Sequence, residues 1–348
     1  MQMKIAIDCR YIGKSGIGRV CEGILDNLDE ANEYFLVGDP NKLKNYNRQV
    51  IEDLTNPFSK KGLFCFTKKI NKLCDCIIIP NFIIPFGIKI PVFSIIHDLI
   101  FLDLKVSTTG IVDSLIKKYL LKRCVKKSVK IDCVSNFTLE RCEHYYPKHK
   151  NKFFVAYNGL SKDILQYNSG KVKKENKIVY VGNVKPHKGI QTLLAAYEKL
   201  PKTKRPILKI IGEKDNFLNG LKVDDIAIDG VVFTGKLSNA ELFKEIESAR
   251  FLISPSLYEG FGLPPLEALY LGTKPIISDI PVHKEIYSQF DDVVFFKCGD
   301  GADLSEKIKT PSDVVLTDQT KIKDMFNYEK TAKEFFSQIN KCFEQKRR

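Results

Sequence analysis

The chain opens the same kind of unit twice. Met3-Lys-Ile-Ala-Ile-Asp8 is a short apolar run, followed by Gly13-Lys-Ser-Gly-Ile-Gly-Arg19 and a helical period over Val20 to Leu28. Lys177-Ile-Val-Tyr-Val-Gly182 is a second such run, followed by Asn183-Val-Lys-Pro-His-Lys-Gly189 and a helical period over Ile190 to Leu200. Strand, glycine-bearing loop, helix is how a doubly wound α/β sheet begins. Two openings in 348 residues predict two such domains, each long enough for its own core. The first is predicted over 1–160 and the second over 161–325, with the polar stretch Ser161 to Asn176 as linker. Further strands are predicted at Tyr34–Val37, Cys76–Ile79, Val92–Ile96 and Phe154–Tyr157, and at Ile207–Gly212, Val231–Gly235, Phe251–Ser254 and Lys274–Asp279.

Open sheets of this kind take ligands in the crevice beyond the carboxyl ends of their strands. In the second half that places loops 183–189, 212–216, 235–238, 254–263 and 278–283 on the ligand side. The most informative is S-P-S-L-Y-E-G-F-G-L-P-P-L-E, Ser254 to Glu267. Two carboxylates, Glu259 and Glu267, bracket a loop that runs into a helix. Free backbone N–H groups at such a junction seat an anion or a polyhydroxyl ligand. Both carboxylates can accept hydrogen bonds from sugar hydroxyls, and the pair also fits the acid and base of a glycosidase. Lys188, at the mouth of the helix predicted over Ile190 to Leu200, adds a cation suited to a diphosphate. In the first half, Gly16 and Gly18 permit close backbone approach to a phosphate, although a plain structural turn fits them equally. The glycines match neither the dinucleotide nor the P-loop spacing. His97 follows the strand at Val92–Ile96, where a catalytic contact and a hydrogen-bonded loop residue are both open readings.

Composition matters for partners. The net charge of +13 is uneven, with 25 Lys and Arg against 16 Asp and Glu in residues 1–160. A helix predicted at 109–130 carries Val112, Leu115, Ile116, Tyr119 and Leu120 as its apolar side and Lys118, Lys122 and Lys126 as a stripe. The stripe is either a solvated face or a contact for anionic lipid headgroups. Nucleic acid ranks below both, since no binding motif accompanies the charge. The apolar region Ile77 to Leu102 is broken by Pro80, Pro85 and Pro91 and is not read as a membrane span. The N-terminus reads as a strand and not as a leader. Ten cysteines with no C-x-x-C spacing read as reduced thiols, neither a disulfide framework nor a metal site.

Taken in order, I-D-C-R with G-I-G-R, H-D-L, V-S-N-F-T, Y-N-G, V-G-N-V-K-P-H-K-G, F-T-G-K-L-S and Y-E-G-F-G-L-P-P-L-E resemble a known family. It is the retaining GT-B-type glycosyltransferases, in the bacterial mannosyl-, glucosyl- and rhamnosyltransferase group of surface-polysaccharide synthesis. The likeness is strongest over 178–283. It implies an α/β fold of two Rossmann-like domains facing across a cleft, with the segment 326–348 packing back on the first. It implies a hexose moved from a nucleotide sugar, linked to GDP, UDP or dTDP with a slight lean to GDP-mannose. The acceptor implied is a lipid-linked oligosaccharide of O-antigen, capsule or similar polymer, at the inner face of the cytoplasmic membrane. No cofactor or metal is expected.

The resemblance also implies roles. Glu267 holds the ribose, while Glu259 and the backbone of Phe261, Gly262 and Leu263 hold sugar and phosphate. Lys188 and the glycines Gly16 and Gly18 meet the diphosphate. Lys236 and Leu237 lie beside the base, and His97 lies beside the anomeric carbon. Asn183 stands where relatives carry Arg, which removes a charge that Arg19 or Lys185 would have to replace. The alternatives are another GT-B enzyme (an epimerase or a synthase) and a catalytically silent nucleotide-sugar-binding protein.

Overall fold

The computed structural model describes residues 2–13, 15–104, 111–168, 172–212, 228–310 and 317–345. Most of the predicted loop 212–216, part of the predicted linker and the first two residues of the predicted basic helix lie outside them. Packing divides the chain into two units, residues 1–161 with 327–348, and residues 162–326.

The first unit is built on seven parallel strands: β1 (Lys4–Asp8), β2 (Glu33–Gly38), β3 (Gln49–Glu52), β4 (Cys76–Ile79), β5 (Val92–Ile96), β6 (Ser128–Cys133) and β7 (Phe153–Val155). Their spatial order is β3-β2-β1-β4-β5-β6-β7. β4 and β5 are buried at every position, as strands covered on both faces must be, and this is why they read as unbroken apolar runs. β3 was not foreseen. It is an edge strand of four half-exposed or exposed residues and has no apolar signature.

The second unit has six parallel strands: β8 (Lys177–Val181), β9 (Ile207–Ile211), β10 (Val231–Gly235), β11 (Phe251–Ser254), β12 (Lys274–Ser278) and β13 (Val294–Phe296). Their order is β10-β9-β8-β11-β12-β13. Both units therefore run outward from a central pair in both directions, which is the doubly wound arrangement. The predicted linker is not featureless, because Lys162–Gln166 is helical and belongs to the second unit.

Two helices differ from expectation. The first begins at Ser15 and ends at Leu25, so Gly16 and Gly18 lie in its opening turns and not in a free loop. A Cβ at Gly18 would stand 2.6 Å from the Tyr11 carbonyl oxygen, whereas one at Gly16 meets nothing within 4 Å. Gly18 thus serves close packing of the helix on the chain before it. The basic helix spans Ile111–Lys127. Its core side is Leu120, Leu121, Cys124 and Val125, all buried, and that register turns Val112, Leu115, Ile116 and Tyr119 outward into solvent. The apolar side expected to pack is the exposed one, with only Leu120 of the predicted set inside.

The last helix, Tyr328–Gln345, belongs to the first unit and packs on helix Ser15–Leu25. A Cβ at Gly23 would fall 2.3 Å from the Tyr328 ring, so the two helices meet where only glycine fits. Thr331 Oγ1 donates to the Tyr157 carbonyl at 2.5 Å and fixes the start of that helix.

Candidate functional site

In the second sheet the strand order reverses between β8 and β11, and the adjacent carboxyl ends at such a reversal are where open sheets of this kind place a ligand crevice. Loops 183–189 and 254–263 leave from those ends. Gly189, in the left-handed region at φ +66, caps the helix Ile190–Glu198. A Cβ there would lie 1.9 Å from the Pro255 carbonyl oxygen. The Leu257 N–H donates to the His187 carbonyl at 2.8 Å. The two loops are therefore stitched backbone to backbone before any side chain acts.

This stitching brings Lys188 onto Glu259. Lys188 Nζ lies 2.6 Å from Glu259 Oε1, and Ser256 Oγ donates to the same oxygen at 2.7 Å. The side chains are 26% and 15% exposed, so the pair sits at the crevice lip and is partly shielded from water. Burial pushes the Glu259 carboxyl up, but the Lys188 ammonium and its hydrogen bond outweigh this and hold it below the usual carboxylate range. Neighbouring His187 is driven down to about 4, by burial first and by Lys188 second, and is neutral at pH 7. Lys188 and Glu259, expected to meet different parts of a ligand, are paired with each other.

At the far end of the loop Gly262 takes φ +89 and caps the helix Leu263–Tyr270 with no side-chain hydrogen bond. Pro264 and Pro265 have no N–H, so Leu263 and Leu266 are the donors of the first turn. Glu267 is the fifth residue of this helix. It lies one turn beyond Leu263 on the same face and is 4% exposed. Phe261 is buried, its ring edge-on to Phe326 at 5.9 Å, so its side chain anchors the loop.

Two residues that sequence reasoning missed lie against Gly262. Both belong to helix Pro281–Tyr287. The Tyr287 hydroxyl donates to the Gly262 carbonyl. His283 is fully buried and its Nδ1 lies 2.8 Å from the Ser278 carbonyl, which makes Nδ1 the protonated nitrogen. Its Nε2 is then an acceptor, has no hydrogen-bond partner among the described residues, and would lie 3.2 Å from a Cβ at Gly262. Burial drives its pKa to about 4. The signal was present, since His283 closes the predicted crevice loop 278–283.

The remaining expected residues are placed as follows. Asn183 is half-buried beyond β8, and its carbonyl accepts from the Tyr180 hydroxyl at 2.9 Å. Lys236 is exposed and Leu237 half-buried, both past the end of edge strand β10, two strands from β8. In the first unit His97 follows β5, half-buried, with Nε2 2.8 Å from the Pro80 carbonyl. Pro80 follows β4, one of the two strands at that sheet's own reversal point. Burial lowers the His97 pKa, the Pro80 hydrogen bond and Asp98 opposing it, so the ring is neutral with Nδ1 as acceptor. Gly16 and Gly18 belong to this unit as well. Among the described residues no three His, Cys, Asp or Glu side chains cluster as metal ligands.

Two doubly wound parallel-sheet units of this order are the fold of the GT-B glycosyltransferases. Anabaena Alr3699/HepE, solved in complex with UDP and glucose, superposes with a TM-score of 0.74 at 15% identity, over 98% of this chain and 100% of its own. Sucrose-phosphate synthase from Thermosynechococcus elongatus does so at 0.70 and 17% identity, over 99% and 100%. Residues 161–331 match the family described as Glycosyl transferases group 1, and the chain carries a glycosyltransferase group 1 domain there. The O-antigen chain mannosyltransferase RfbU of Salmonella typhimurium is 34% identical over 181 residues, 50% of this chain and 50% of that protein. The O-antigen chain mannosyltransferase B of Escherichia coli is 32% identical over 113 residues, 31% of this chain and 30% of that one. The chain thus matches half or less of the length of these relatives.

Proposed function

We propose that the protein is a retaining, metal-independent glycosyltransferase. It would move a hexose, mannose from GDP-mannose in the first instance, to a lipid-linked oligosaccharide of surface polysaccharide at the inner face of the cytoplasmic membrane. The observation that carries this reading is the Lys188–Glu259 pair between the glycine-built loops at the β8/β11 reversal. A cation and a hydroxyl acceptor stand together where a sugar diphosphate needs both. The mannosyltransferase names of the relatives support the donor, and the UDP and glucose bound by Alr3699/HepE support a nucleotide sugar.

The chemistry follows from the groups. The diphosphate draws Lys188 off Glu259, and Glu259 is then free to accept from a sugar hydroxyl. Glu267 accepts from the ribose. The bond between the anomeric carbon and the β-phosphate oxygen breaks, and its electron pair stays on the phosphate. Lys188 and the backbone N–H groups at Phe261 to Leu263 stabilise that charge. An acceptor hydroxyl attacks from the same face, its oxygen bonding the anomeric carbon, and its proton passes to the departing phosphate. The test supplies GDP-mannose, UDP-glucose and dTDP-rhamnose separately with a lipid-linked oligosaccharide, and product configuration is read by NMR. One donor is expected to give a product of unchanged anomeric configuration without added metal. No transfer from any of them, or an inverted product, would overturn the reading.

A further inference from the structure

The helix Ile111–Lys127 is inside out for a helix facing water. Val112, Leu115, Ile116 and Tyr119 are 70%, 60%, 49% and 58% exposed, on the face opposite the buried Leu121, Cys124 and Val125. Scattered exposed apolar residues need no explanation, but four on one helix face form a patch that asks for a partner. The same face continues into cations. Tyr119, Lys122, Arg123, Lys126 and Lys127 line a cavity of about 530 Å³. Arg123 is fixed as its wall, bonded to the Ile84 and Pro85 carbonyls and lying 4.1 Å over the Phe86 ring. Phe86 stacks in turn on Phe64 at 4.7 Å, and Phe64 is 60% exposed, which extends the apolar surface beyond the helix. The acid of this helix, Asp113, is held by Lys117 at 2.7 Å.

We infer that this face inserts into an anionic phospholipid bilayer. Val112, Leu115, Ile116 and Tyr119 enter the boundary between headgroups and acyl chains. Lys122, Lys126 and Lys127 hold headgroup phosphates in the adjoining cavity. Charge decides the occupant: an apolar patch flanked by lysines matches a surface that is apolar below and negative above. The inference sharpens the membrane contact of the proposed function, from electrostatic touching to insertion, and does not require glycosyl transfer.

Vesicle flotation tests it, with phosphatidylglycerol-containing and pure phosphatidylcholine vesicles at low and high salt. Wild type is expected to float with the anionic vesicles and to retain part of that binding at high salt, where headgroup attraction is screened. Replacing Val112, Leu115, Ile116 and Tyr119 together by Ser is expected to weaken binding by about tenfold or more and to abolish the salt-resistant part. Lys122→Gln with Lys126→Gln and Lys127→Gln is expected to remove the preference for anionic vesicles and to leave salt-resistant binding. All these positions are exposed, so an unchanged melting temperature is expected and separates lost binding from lost fold. Wild-type flotation of the Ser variant would overturn insertion, and equal binding to neutral vesicles would overturn the anionic part. A self-association seen by sedimentation and removed by the Ser substitutions would instead assign the face to a second copy and also overturn the inference. Flotation without nucleotide binding would sink only the transferase reading.

Discussion

Lys188 and Glu259 are the pair proposed to meet the donor, and their pairing at 2.6 Å makes opposite demands on two substitutions. Lys188→Ala removes the cation a diphosphate needs, so nucleoside diphosphate affinity is expected to fall roughly ten- to hundredfold, the size of a charged hydrogen bond. Glu259→Gln releases Lys188 from its competitor. Nucleoside diphosphate is then expected to bind more tightly while turnover of the sugar donor drops; calorimetry and kcat check the two halves. Affinity reduced by Glu259→Gln would refute the competition. His283 makes a pH prediction. Its folded pKa of about 4 lies below the ordinary 6.5, so the unfolded chain binds more protons between these values. Its contribution to stability is present in full above about 6.5 and is lost as pH falls towards 4, on the order of 3 kcal/mol. Denaturant unfolding at both ends of that window should show a steeper loss for wild type than for His283→Asn.

At the scale of elements, the glycines divide by what surrounds them. Gly189→Ala would press a Cβ onto the Pro255 carbonyl in a left-handed conformation, and a melting temperature several degrees lower is expected. Gly16 lies in open space within a helix, so Gly16→Ala should be neutral or stabilising by about 0.5–1 kcal/mol. The β-strands were legible because parallel strands buried on both faces are unbroken apolar runs, as in Cys76–Ile79 and Val92–Ile96. β3 and β13 were not, being short and at sheet edges. The Ile111–Lys127 helix shows a subtler limit. Periodicity revealed an apolar stripe, but which stripe packs depends on the register of Leu121, Cys124 and Val125 against the sheet, and that is a tertiary fact. Likewise Lys188 and Glu259 were each singled out from the sequence, while their pairing depends on Gly189 lying against Pro255. Tyr287 bonds Gly262 and His283 lies beside it, a proximity no spacing announces.

The whole molecule repeats one topology, with the strand order reversing between β1 and β4 and again between β8 and β11. The chain returns to its first unit through the helix Tyr328–Gln345. That return depends on Gly23. Gly23→Leu is expected to lift the final helix and raise proteolytic cleavage near Asn327 without changing the second unit's sheet. Loops 183–189 and 254–263 are proposed to hold the diphosphate of a nucleotide sugar between them. The most direct measurement is thermal unfolding of wild type and Lys188→Ala with UDP, GDP, dTDP and ADP. At one hundred times its Kd a nucleotide stabilises by about 2.7 kcal/mol. One nucleotide, GDP first, is expected to raise the wild-type melting temperature by several degrees and to leave Lys188→Ala nearly unmoved. No shift with any of the four, or an equal shift in the variant, would contradict it.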